Sequence, residues 1–204
     1  MFEKYILGDI MEIKYTKKEL QDMESAISKF YDKNDLKYFK SNYVDPILLA
    51  KKLGFSVYSI RLGNGIDGLI GVDDKPLLGT ESNRVIIVNK NAKSPQFKRF
   101  IIAHELAHYI DNNGSKSFAF RDGFSGIRSE KEQRMDYYAA AILMPMDSIL
   151  EDIDIIEKIN AQSSDKKTGE NLDNLIIDMI SEKYDVSEVM AERRLHEART
   201  YSGQ

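Results

Sequence analysis

Ser94-Pro-Gln-Phe-Lys-Arg-Phe-Ile-Ile-Ala-His104-Glu105-Leu-Ala-His108-Tyr-Ile-Asp111-Asn-Asn-Gly114 is the stretch on which the reading of this chain turns. Serine before proline is a helix start: the hydroxyl caps, and proline is tolerated in the first turn. Asn112, Asn113 and Gly114 are residues that end a helix. Between these signals, His104 and His108 stand four residues apart, so both imidazoles project from one face. Two ring nitrogens so placed can share one Zn2+, and Glu105 sits beside the open coordination position as a candidate general base. The motif uses two of the chain's three histidines. From composition alone its chance occurrence is roughly 0.3%.

A catalytic zinc takes three protein ligands and keeps one position for water. A third histidine at the spacing HExxHxxGxxH is absent, because positions 111 and 114 are Asp and Gly, and the chain has no cysteine. The third donor is therefore expected to be a carboxylate. Glu132, on the next expected helix, is favoured; Asp111, one turn beyond His108, and Glu130 compete. Asp136 follows Glu132 by four residues on the same face. That pairing suits one metal ligand and one carboxylate holding a ligand histidine by its other N–H.

Outward from this helix the chain reads as α+β. Thr16-Lys-Lys-Glu19 is a capping box opening a helix to about Tyr31. Asp45-Pro46 opens a second, which Gly54 can stop. Strands are expected over 55–60, 69–72 and 84–88, the last as the apolar run Val85-Ile86-Ile87-Val88. Residues 114–128 read as a structured loop. A helix over about 129–143 ends before Pro145, a polar linker covers 161–171, and two helices follow over 172–184 and 187–199.

The 204 residues, 42% hydrophobic, suffice for one sizeable core. A net charge of −4 argues against a protein that coats nucleic acid. The absence of cysteine excludes disulfides, thiolate nucleophiles and Cys-based metal sites, and fits a cytoplasmic protein. Residues 1–15 carry charges throughout and lack the apolar core of a signal peptide. The longest apolar run, Ala139 to Met144, is far short of the ~18 residues that span a bilayer. No membrane association is expected.

Several segments together resemble the ImmA/IrrE family of zinc metallopeptidases. They are Pro46-Ile-Leu-Leu-Ala-Lys-Lys-Leu-Gly54, Ile87-Val-Asn89, Arg99-Phe-Ile-Ile-Ala-His-Glu-Leu-Ala-His108, Glu132 to Asp136, and Ala139-Ala-Ala-Ile-Leu-Met-Pro145. Val186-Ser-Glu-Val-Met-Ala-Glu-Arg-Arg-Leu195 is similar to that family's C-terminal helical region. The resemblance implies a cytoplasmic, zincin-like fold of the gluzincin kind, with Zn2+ held by His104, His108 and Glu132 and proteolysis directed at helix-turn-helix repressors in mobile elements or stress responses. One departure is local: where the family has Glu-Ala-Asn/Asp leading into Phe-Ala, this chain has Arg134-Met-Asp136 leading into Tyr138-Ala139. The expected layout is an N-terminal helical extension over 1–44, a zincin-like domain over 45–160 with a mostly antiparallel three-stranded sheet packed on helices, and a helix-turn-helix-like pair over 172–204.

Two classes of function follow. One is a zinc endopeptidase of narrow specificity that cuts a repressor and relieves repression. The other is a non-catalytic metal-binding regulator acting through its C-terminal helices on protein or DNA. Glu105 favours the first, since a pure binding domain has no need of a base beside the metal. In the terminal helices Arg193, Arg194 and Arg199 are matched by Glu188, Glu192 and Glu197, a poor face for phosphate. Deletion after about residue 165 is expected to spare zinc binding but to impair cleavage of the cognate repressor. For a second oxyanion donor, Tyr109, Tyr137 and Tyr138 are near in sequence but off the ligand face on helical spacing, and Arg121 and Arg128 are the alternatives. Phe118, Phe120 and Phe124 either wall a cleft or cap the core, and strand 84–88 is either a substrate-pairing edge or a buried centre. His196 reads as a surface histidine.

Overall fold

The computed structural model describes residues 15–40, 43–63, 65–115, 129–203 and, for the backbone alone, 117–122. Residues 1–14, the start of the expected extension and the charged N-terminus, lie outside the described residues, as do Phe124 and Arg128.

Capping chemistry fixes the starts of the helices. Helix α1 (Lys17–Lys33) opens on the expected box: Thr16 accepts from the Glu19 amide, and the Thr16 amide donates to Glu19 at 2.7 Å. A short 3-10 turn (Lys37–Lys40) leads to α2 (Pro46–Lys52), where Asp45 accepts from the Ile47 amide at 2.9 Å. Then come β1 (Ser56–Ile60), β2 (Ile66–Val72), β3 (Arg84–Asn89), α3 (Pro95–Asp111), β4 (Ser117–Asp122), α4 (Glu130–Leu143), α5 (Met146–Gln162), α6 (Glu170–Tyr184) and α7 (Glu188–Ser202). Among the described residues, no helix is long and apolar enough to cross a membrane.

The sheet has the order β1-β3-β2-β4. β1 runs parallel to β3, with Val57 opposite Ile86. β2 is antiparallel to β3, with Ile70 opposite Ile86, and antiparallel to β4, with Ile70 opposite Ala119. The three expected strands are thus joined by a fourth, taken from the segment expected to be a loop. The glycines and serines that flank Ser-Phe-Ala-Phe-Arg-Asp hide this short strand, which is held by its pairing with β2. β3 is interior, which decides between the two readings of that apolar run: among the described residues the edge strands of the sheet are β1 and β4. Helix α5 is a further addition; Ile149, Ile153 and Ile156 form its buried face after Pro145 ends α4.

Helix α3 crosses the sheet and is buried from Ile101 to Ile110, with α4 on its other side. A helix buried on every face has little amphipathic pattern, and this one is apolar around most of its circumference. The two terminal helices share this core. Ile176, Ile180, Tyr184, Val186, Ala191, Leu195 and Ala198 belong to the same buried cluster as Leu20 and Ile27 of α1 and Met135 of α4. Arg194 is fully buried. It donates to the Met144 carbonyl at 2.9 Å, to Glu197 at 3.1 Å and to Glu24 at 2.7 Å, and its guanidinium lies over the Tyr137 ring at 5.4 Å. The polar linker is also tied down, since the Asn160 side chain bonds both the amide and the carbonyl of Lys167. The expectation that zinc binding is spared when the chain after about residue 165 is deleted therefore meets a helix pair that shares the core of the rest.

Candidate metal centre

Two neighbouring helices build the site. The i, i+4 geometry of α3 sets the His104 and His108 rings 5.0 Å apart, centroid to centroid, and buries both, with Glu105 between them in sequence and fully buried. In α4, Ser129 caps the helix by accepting from the Glu132 amide at 3.2 Å. That cap fixes Glu132 in the first turn, at the end of α4 that faces the histidines.

Glu132 spans the two rings. One carboxylate oxygen lies 3.0 Å from His104 Nε2 and the other 3.5 Å from His108 Nε2. The three side chains offer ligand atoms that all lie within 4.8 Å of one another. Donors about one tetrahedral zinc are ~3.3 Å apart, given metal–donor distances of ~2.0–2.2 Å, so a modest adjustment brings this set around a single ion. Asp136, one turn along α4, stands behind His104 with Oδ1 2.8 Å from Nδ1. A carboxylate there favours the Nδ1–H tautomer, in which the Nε2 lone pair can ligate a metal.

The electrostatics suit a cation. Burial, and next the neighbouring His104, push the pKa of His108 from 6.5 down to about 4. The ring is neutral at physiological pH, as a metal ligand must be. Neither of its buried nitrogens makes a hydrogen bond among the described residues. Buried polar atoms usually find partners. A metal ion is a fitting partner for Nε2, given the imidazole and carboxylate donors around it.

The competing carboxylates are placed elsewhere. Asp111 is drawn to Arg134 of α4 at 3.1 Å, and Glu130 is not part of the cluster. The tyrosines considered as oxyanion donors are engaged in packing. Tyr109 lies edge-on to Phe30 and Phe55, Tyr137 donates to Glu24 at 2.7 Å, and Tyr138 accepts from Arg134 at 3.1 Å. The side chains of Phe118, Phe120 and Arg121 lie outside the described residues. His196 is half-buried in α7 and takes no part in the cluster.

One residue at the site carried no signal in the sequence reading. Gly68, in β2, passes so close to α3 that a Cβ built on it would stand 2.9 Å from Glu105 Oε1. A glycine inside a strand does mark a bulge or a close approach, but the pattern alone does not say to what.

A small mixed sheet crossed by an HExxH helix, with a carboxylate from the following helix closing a His-His-Glu cluster, is the arrangement of a zincin-like α+β metallopeptidase domain. The family model for Peptidase_M78, the IrrE N-terminal-like domain, matches residues 50–196. The chain belongs to this family of metal-dependent peptidases. A comparison with curated proteins gives no match.

Proposed function

We propose that this protein is a zinc-dependent endopeptidase of narrow specificity, and that its substrate is a helix-turn-helix transcriptional repressor in the cytoplasm. The observation that carries the chemistry is the convergence of two buried imidazoles, the His108 ring held neutral by its burial, on the Glu132 carboxylate at 3.0 and 3.5 Å. His104, His108 and Glu132 would hold the ion. When bound, Zn2+ supplies Lewis-acid polarisation of the scissile carbonyl and makes water a better nucleophile near neutral pH.

The chain's own residues do the rest. Asp136 orients the His104 ring through Nδ1 and stabilises the tautomer that presents Nε2. Glu105 accepts a proton from the attacking water and returns it to the leaving amine. The specificity part of the reading is supported by the resemblance of the chain to the ImmA/IrrE family, and by the charge of the terminal helices, net negative in α6 and balanced in α7, which does not suit phosphate.

The test has two stages. Protein purified without a metal-affinity tag is expected to carry about one zinc per chain by mass spectrometry. It is then incubated with the repressor encoded beside it, and the products are resolved by gel. Discrete cleavage by the zinc-loaded form, abolished by chelation, supports the proposal. A zinc-loaded chain that leaves the repressor intact but shifts DNA at nanomolar concentration would return the reading to a non-catalytic regulator.

A further inference from the structure

Taking Glu105 as the base, as proposed above, we infer that Gly68 is its positioning residue: the missing side chain on β2 is what gives the Glu105 carboxylate its place between helix and sheet. Gly68 sits inside β2, opposite Val88 of β3 and Arg121 of β4, beside a register shift between Ile66 and Gly68. Its φ is outside the left-handed region, so backbone conformation does not demand glycine here. Space does. A Cβ at this position would lie 2.4 Å from Ile101 Cγ2, 2.9 Å from Glu105 Oε1 and 3.2 Å from the Ile87 carbonyl oxygen. By contrast, Gly63 and Gly79 have nothing within 4 Å of such an atom.

Ile101 and Glu105 are one helical turn apart, so β2 crosses α3 along the face that carries the base. Both side chains are fully buried. Neither can swing into solvent, and the third neighbour is main chain. A methyl group on Gly68 must therefore displace the carboxylate, the isoleucine or the strand. A general base has to lie within hydrogen-bond reach of the proton it takes, and a displacement of about 1 Å costs on the order of 10²-fold in rate. The role is positioning: Gly68 acts on the proton transfer only through Glu105.

The experiment is a double-mutant cycle on the full-length zinc-loaded chain, with Gly68→Ala, Glu105→Ala and both together. The probe is acetohydroxamic acid, which chelates zinc as its anion and gives up a proton that Glu105 can take. Zinc content, probe affinity by calorimetry, and melting temperature are measured for each. The expected result is that Gly68→Ala retains one zinc per chain yet weakens the probe about 10-fold or more with Glu105 present. It should weaken it less than about 2-fold in the Glu105→Ala background, where no carboxylate is left to displace. The drop in melting temperature should likewise be smaller in that background. If the clash with Ile101 prevents folding, the same cycle is run on Ile101→Ala, which removes Cγ2 and leaves the contact with Glu105. Equal losses with and without Glu105 would overturn the inference and assign the glycine to packing against Ile101. A zinc-loaded parent that ignores the probe would sink the peptidase reading, while the melting-temperature cycle would still decide whether Gly68 makes room for Glu105.

Discussion

Removing residues 165–204 is expected to destroy the metal centre, although no metal ligand lies in that segment. The segment buries Ile176, Ile180, Tyr184, Val186 and Leu195 in the common core, together with Ala191 and Ala198. At ~2 kcal/mol for each of the five larger side chains, the loss is about 10 kcal/mol before any exposed partner surface is counted. Deletion also takes away Arg194. The Met144 carbonyl at the end of α4 and the Glu24 carboxylate then lose a buried cationic partner. Stripping one side from such an ion network costs ~3–5 kcal/mol. Together these gross losses come to about 13–15 kcal/mol, offset in part by the chain entropy that the deleted residues no longer give up, against the ~5–15 kcal/mol net that stabilises a typical domain. Helix α4, which carries Glu132 and Asp136, would lose its anchor at Met144, and the site would go with it. The assay is thermal unfolding followed by circular dichroism, with zinc content measured on the same samples. A truncated chain that unfolds cooperatively and keeps one zinc would refute the reasoning and show that the terminal helices fold apart from the site. Arg194→Ala in the full chain isolates the ionic part: it should lower the stability measured by urea denaturation by ~3–5 kcal/mol, at an unchanged slope.

Three further outcomes are expected. Glu105→Gln should keep zinc and lose cleavage by ~10²-fold or more, since an amide cannot take the proton; a variant that cuts like the parent would reject Glu105 as the base. Asp136→Ala should weaken zinc binding by ~10–100-fold without abolishing it, measured by competition with a chelator of known affinity. In the metal-free chain His108 titrates at about 4 when folded and near 6.5 when unfolded. The unfolded state then binds the extra proton between those values. Stability should fall as the pH drops from about 6.5 to about 4, and His108→Asn should flatten that part of the profile; an unchanged profile would place the pH dependence in other groups.

The local half of the site is legible in the chain itself. An i, i+4 pair of histidines on a helix bounded by Ser94-Pro95 and by Asn112-Asn113-Gly114 has only one geometry, because the helical repeat fixes it whatever surrounds the helix. The cap at Thr16, the Asp45-Pro46 start and the stop at Pro145 are equally local, and the structure has them where the residues indicate. The tertiary structure decided what crosses long distances in sequence. Which carboxylate faces the two imidazoles depends on how α4 lies against α3. Asp111, closer in sequence, is held instead by Arg134. β4 exists because β2 offers it a partner, and the terminal helices join the core because Arg194 finds Glu24 and Met144 across the chain. Gly68 makes the same point at the smallest scale. Nothing in its own neighbourhood along the chain distinguishes it from a turn glycine, and only the approach of α3 gives its missing side chain a purpose. Periodicity and capping are written in neighbours a few residues apart, whereas packing partners are selected by shape and charge after the elements meet.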